Sequence, residues 1–124
     1  MKLLLFDIDG TMLFTRGVGR RAMERSIQHL IGRPVTTQGV DFSGRTDPQI
    51  MRDILLLNGV PDAEVEGLLT ETLTLFVEHF SDLITPGDTT MLPGVDTLVK
   101  RLAERDDVQL ALLTGNLQPT AYLK

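Results

Sequence analysis

Two aspartates one residue apart end the first apolar run of the chain. Leu3-Leu4-Leu5-Phe6 leads directly into Asp7-Ile8-Asp9-Gly10-Thr11. A continuous apolar run of this length suits a buried parallel strand, and polar residues past its end suit a functional edge. A carboxylate held there can act as a nucleophile or pass a proton. The ordinary alternative is turn formation, which Asp favours for its own backbone reasons. A second apolar run, Val108 to Leu113, ends in Thr114-Gly115-Asn116. Taken alone, those three residues read as a helix cap. In open α/β sheets, sites form outside the carboxyl ends of parallel strands. Two such strands side by side would bring both polar clusters into one cleft.

The elements between the runs are helical. Met23, Ile27, Leu30 and Ile31 make one apolar face over about residues 17–31, and Gly32 and Pro34 supply the stop. A second helix starts with Thr46 or Asp47 as N-cap and Pro48 in its first turn. Ile50, Met51, Ile54, Leu55 and Leu57 form its apolar face, and Asn58-Gly59 ends it. A third helix is expected from Asp62 to Phe80, then a linker over 85–88. A fourth carries Val95, Leu98, Val99 and Leu102. Asn116 can cap a final helix.

The chain has 124 residues, 12 Lys+Arg, 17 Asp+Glu and a formal charge of −5. This length suits one average domain. The acidity argues against nucleic acid as a partner, since such binders carry a basic footprint. With no cysteine, disulfides, thiolate zinc sites and cysteine nucleophiles are excluded. The first apolar run is far shorter than the roughly 20 residues a membrane span needs. The reading is therefore a soluble, cytoplasmic chain with no membrane partner.

The run Asp7-x-Asp9-Gly10-Thr11 after a strand resembles motif I of the haloacid-dehalogenase-like hydrolase superfamily. Thr114-Gly115-Asn116 resembles its motif II. The distance between them is similar to that in members with a helical cap inserted after motif I. Gly17–Met23, Ser43–Ile50, Leu92–Val95 and Gly115–Ala121 resemble the phosphoglycolate-phosphatase-like branch. The resemblance implies an α/β fold, a Rossmann-like parallel-sheet core with an inserted α-helical cap. Residues 1–14 and 89–124 would form a partial core and 15–88 the cap.

It also implies roles. Asp7 would be the nucleophile, forming an aspartyl-phosphate. Asp9 would protonate the leaving oxygen and then activate water. Gly10 would let the backbone approach the phosphate. Thr11, Thr114, Gly115 and Asn116 would bind the phosphoryl group. Mg²⁺ would be held by the Asp7 carboxylate and the Asp9 backbone carbonyl, offsetting repulsion between carboxylate and phosphate. The implied activity is Mg²⁺-dependent hydrolysis of a small phosphorylated metabolite. The alternatives are a sugar-phosphate mutase of the same superfamily and a non-catalytic phosphate-binding fragment. A receiver domain fits poorly, because receivers place the acceptor aspartate after a later strand.

Some residues keep two readings. Arg45, in a Gly-flanked loop, either grips a substrate carboxylate or second phosphate, or is a solvated surface arginine. Thr46 and Asp47 read as helix caps. Of Arg16, Arg20 and Arg21, one can face the acidic cleft, and the others read as a solvated helix face. His29 and His79 read as isolated structural or surface residues. No motif III base or motif IV acidic cluster follows Asn116, and Lys124 is not given the motif III role. The expectation is an N-terminal part of a longer enzyme, weakly active or inactive alone.

Overall fold

The first strand and the last are partners. In the computed structural model, which describes residues 1–124, β1 (Lys2–Phe6) and β4 (Val108–Leu112) pair in parallel. Their register runs from Lys2 opposite Val108 to Phe6 opposite Leu112. Between them in sequence lie β2 (Leu13–Phe14), α1 (Val18–Ile31), α2 (Asp47–Leu57), α3 (Asp62–Leu83), β3 (Thr90–Met91) and α4 (Val95–Ala103). A helix α5 (Gln118–Leu123) follows β4. No helix is long and apolar enough to cross a membrane.

The chain divides into two units. The strand unit holds residues 1–16, 85–114 and Lys124. Its parallel pair packs α4 against β4, and a small antiparallel pair joins β2 to β3. The two-residue strands β2 and β3 are too short to leave a periodic signal, so they are absent from the sequence reading. The burial expected of β1 is not found. Leu3 and Leu5 are 58% and 51% exposed, and Leu112 and Leu113 are exposed as well. One helix against two strands cannot cover both faces of a sheet. Ile8 is the one buried apolar side chain of this unit. The whole is an α/β arrangement, helices with a small parallel sheet.

The helical unit holds residues 17–84 and 115–123. Its core joins Val18, Met23 and Ile27 of α1 to Ile50, Met51, Ile54 and Leu55 of α2 and to Val65, Phe76 and Phe80 of α3. These are the periodic positions of each helix. The exceptions are Leu30 of α1, which is half-buried outside this core, and Leu57, the last residue of α2, which is exposed. α1 ends where expected, with Gly32 donating its N–H to the Gln28 carbonyl. α2 begins on a capping box. The Thr46 hydroxyl accepts from the Gln49 N–H, and the Gln49 side chain accepts from the Thr46 N–H. α3 runs on to Leu83, three residues past the expected end.

His29 and His79 are not isolated. Their rings lie 6.2 Å apart, and His79 Nδ1 is 2.9 Å from the buried Ser26 hydroxyl. Ser26 spends its single O–H proton on the Ala22 carbonyl at 2.7 Å. His79 Nδ1–H must therefore donate to Ser26, tying α3 to α1. Burial is the main cause that holds the His79 pKa below its ordinary value, with Arg25 and His29 adding to it.

The boundary at the C-terminal end differs from the sequence reading, which assigns all of 89–124 to the core. Residues 115–123 belong to the helical unit. The reason is local. The Asp47 N–H donates to the Gly115 carbonyl, and Leu117 packs against the helical core.

Candidate active site

The strand unit places four of the candidate residues at one end of its parallel pair. Asp7 follows the last residue of β1. Past the end of β4, the Leu113 N–H donates to the Phe6 carbonyl at 2.8 Å, and Thr114 comes next. The chain then turns sharply after Asp7. The carbonyl of buried Ile8 accepts from the N–H groups of Thr11, Met12 and Leu13, at 3.2, 2.9 and 3.2 Å. Gly10 closes the turn at φ 73°, a left-handed conformation that costs glycine little. Ile8 anchors the turn, and Asp7, Asp9 and Thr11 are left exposed around it.

The two carboxylates have different surroundings. The Asp7 side chain is exposed and takes no hydrogen bond or ion pair from the chain. Asp9 is held. The Lys124 ammonium donates to both of its carboxylate oxygens, at 2.8 and 2.7 Å. The Lys124 side chain is only 6% exposed. Sequence reasoning missed this lysine, and no spacing signal could have found it, because it lies 115 residues from its partner.

Gly115, Asn116 and Arg45 belong to the helical unit. Gly115 is held against the loop before α2. A Cβ built on it would overlap the Arg45 carbonyl oxygen and lie 2.9 Å from that carbonyl's carbon. No residue larger than glycine fits without moving backbone. Asn116 does not occupy the cap position expected of it, since α5 begins at Gln118. The N–H of Leu117 is instead taken by the Asp47 carboxylate at 2.8 Å. Asp47 is therefore more than a helix cap, the only role its sequence position suggests.

The Arg45 guanidinium pairs with Asp53, which raises its pKa further above the ordinary arginine value. Arg20 lies 4.4 Å over the Phe42 ring and donates to the Thr37 hydroxyl, so its contacts are structural ones within the helical unit.

The oxygen donors at the end of β1 suit a hard cation. Mg²⁺ keeps several waters and needs only one or two carboxylates beside substrate phosphate. The Asp7 carboxylate and the Asp9 carbonyl fit that partial donor set. No group of three or more His, Cys, Asp or Glu side chains that could hold a metal occurs in the chain.

Known proteins share the sequence pattern and the fold. The sequence model of the haloacid dehalogenase-like hydrolases matches residues 1–124. Among solved structures, the chain is similar to a candidate phosphoglycolate phosphatase from Lactobacillus plantarum. The TM-score is 0.58 at 20% identity, covering 94% of this chain and 50% of that one. It is also similar to CbbY from Rhodobacter sphaeroides, solved in complex with phosphate. There the TM-score is 0.56 at 24% identity, covering 97% and 53%. The chain thus spans about half the length of both structures. No match was found among curated proteins. At such identities the two structures speak for the fold, while the sequence model covers the aspartate turn, the helices and the Thr114 turn together. The chain belongs to the haloacid dehalogenase-like hydrolase family.

Proposed function

We propose that this chain carries the nucleophile-bearing part of a Mg²⁺-dependent phosphomonoester hydrolase acting on a small phosphorylated metabolite, similar to phosphoglycolate phosphatases. The observation that carries the reading is the pairing of β1 with β4. It sets the Asp7 turn and Thr114 past the carboxyl ends of adjacent parallel strands.

In this reading an Asp7 carboxylate oxygen attacks phosphorus. The bond from phosphorus to the alcohol oxygen breaks, and Asp9, protonated at that stage, gives its proton to the departing oxygen. Asp9 then takes a proton from water as the water attacks phosphorus. Inorganic phosphate leaves and the Asp7 carboxylate is regenerated. Thr11 and Thr114 would donate hydroxyl hydrogen bonds to the phosphoryl oxygens, and the N–H groups of Gly115 and Asn116 would add anion stabilisation. Lys124 would hold the Asp9 carboxylate in place between turnovers. Arg45 would contact a second anionic group of the substrate, exchanging its bond to Asp53 for that contact. Mg²⁺ on Asp7 and the Asp9 carbonyl would neutralise charge between nucleophile and phosphate.

The test is Mg²⁺-dependent hydrolysis of p-nitrophenyl phosphate by the protein and its Asp7→Asn variant. The reading expects phosphate release that EDTA abolishes and Asp7→Asn removes. Folded protein that releases no phosphate from any phosphomonoester even with the remaining half of the enzyme supplied would overturn it. Transfer of the phosphoryl group between positions of a hexose phosphate would point to a mutase instead.

A further inference from the structure

The loop before α2 and the turn after β4 are locked to each other through one residue, by its backbone and its side chain. Asp47 is buried, at 6% exposure, within the helical unit. Its N–H donates to the Gly115 carbonyl at 2.8 Å, and its carboxylate accepts from the Leu117 N–H at 2.8 Å. One residue thus bonds both ends of the 115–117 turn, 70 residues away in sequence. The fit is close. Gly115 lies so near the Arg45 carbonyl that a Cβ could not be placed there, and Thr46 Cα would be 3.0 Å from it.

Burying a carboxylate is costly unless it is hydrogen-bonded, so this arrangement needs a return. Helix capping does not supply it. Thr46 already closes the capping box of α2 with Gln49. On the other side, the turn has its own anchors. The Leu117 carbonyl accepts from the Thr120 hydroxyl and from the Ala121 N–H, both at 2.9 Å. The Leu117 N–H would otherwise be one of the orphan donors at the start of α5.

We infer that Asp47 is a positioning residue that fixes the 115–117 turn, and with it the N–H groups offered to the phosphoryl group. This rests on the functional reading above. The same clamp holds the Arg45 backbone against Gly115. The arginine proposed to sense the substrate and the turn proposed to bind its phosphate therefore move as one piece. Asp47 touches no reacting atom in this account. It acts through Gly115, Asn116 and Leu117.

The experiment compares Asp47→Ala, Asp47→Ser and Asp47→Asn with Thr46→Ala, which weakens the same helix start without touching the clamp. The first readout is amide hydrogen exchange at Leu117, with Val65 in the core as reference. Asp47→Ala should speed Leu117 exchange about ten- to a hundredfold relative to Val65. Thr46→Ala should leave that ratio unchanged. Asp47→Asn keeps a carbonyl acceptor and should restore most of the protection. Asp47→Ser gives the same reading if the alanine variant fails to fold, since serine suits a helix start but is too short to reach. The second readout is kinetics on p-nitrophenyl phosphate. Asp47→Ala should lower kcat about ten- to a hundredfold with KM within about threefold. An unchanged Leu117-to-Val65 ratio in the alanine or serine variant would overturn the clamp. If the unmodified protein releases no phosphate even with the remaining half of the enzyme supplied, the functional reading fails while the exchange ratio still decides the clamp.

Discussion

The Lys124 ammonium meets both carboxylate oxygens of Asp9, at 2.8 and 2.7 Å, while Asp7 two residues earlier has no such partner. Neighbouring carboxylates in one turn thus have different surroundings, one of them held by a lysine. An exposed, unpaired carboxylate suits attack on phosphorus. A carboxylate held by a cation suits a group whose place must not wander.

That difference predicts a kinetic effect larger than a stability effect. Asp9 is about half exposed, so water screens its carboxylate and weakens the pair's contribution to stability. Lys124→Met should therefore shift the urea midpoint little. It should lower kcat roughly tenfold or more, because Asp9 loses its orientation. Lys124→Arg should recover most of the loss. Equal kcat values in all three proteins would remove Lys124 from the account.

His79 predicts a pH dependence of stability. Burial, Arg25 and His29 lower its pKa from 6.5, against weaker opposition from Asp82 and Glu78. The unfolded chain then binds the proton better than the fold does. Stability from this group is complete above about pH 6.5 and is lost as pH falls through the lower folded value. The melting temperature should drop as pH falls below about 6.5, and His79→Gln should flatten that drop. Parallel melting curves for both proteins across this range would contradict it.

Two glycines should respond in opposite directions to alanine. Gly115→Ala forces a Cβ into the Arg45 carbonyl and should cost about 1–3 kcal/mol. Gly67 lies in the interior of α3 with nothing within 4 Å of an added Cβ. Gly67→Ala should stabilise by about 0.5–1 kcal/mol through helix propensity. Urea unfolding of both variants checks the signs. A neutral Gly115→Ala would mean the loop and turn are not in contact.

What could be read in the sequence, and what could not, follows from the range of the interactions. The helices were legible because their periodic faces and ends are local, as in the Thr46–Gln49 box and the Gly32 stop. The parallel pairing of β1 and β4 was legible because two apolar runs end in polar turns. The exposure of Leu3 and Leu5 was not, since it depends on how many layers cover the sheet. Asp47 and Lys124 were also opaque. Each draws its role from a partner at least 70 residues away, and neither spacing nor propensity carries that information. The His29–His79 pair was hidden for the same reason.

The most direct test of the central claim is chemical trapping of the covalent intermediate. The protein is mixed with Mg²⁺ and a phosphomonoester, quenched, reduced with borohydride and mapped by peptide mass spectrometry. An aspartyl-phosphate is reduced to homoserine, and the account predicts homoserine at position 7 and none at position 9. Steady phosphate release with Asp7 unmodified, or with the label on Asp9, would contradict it.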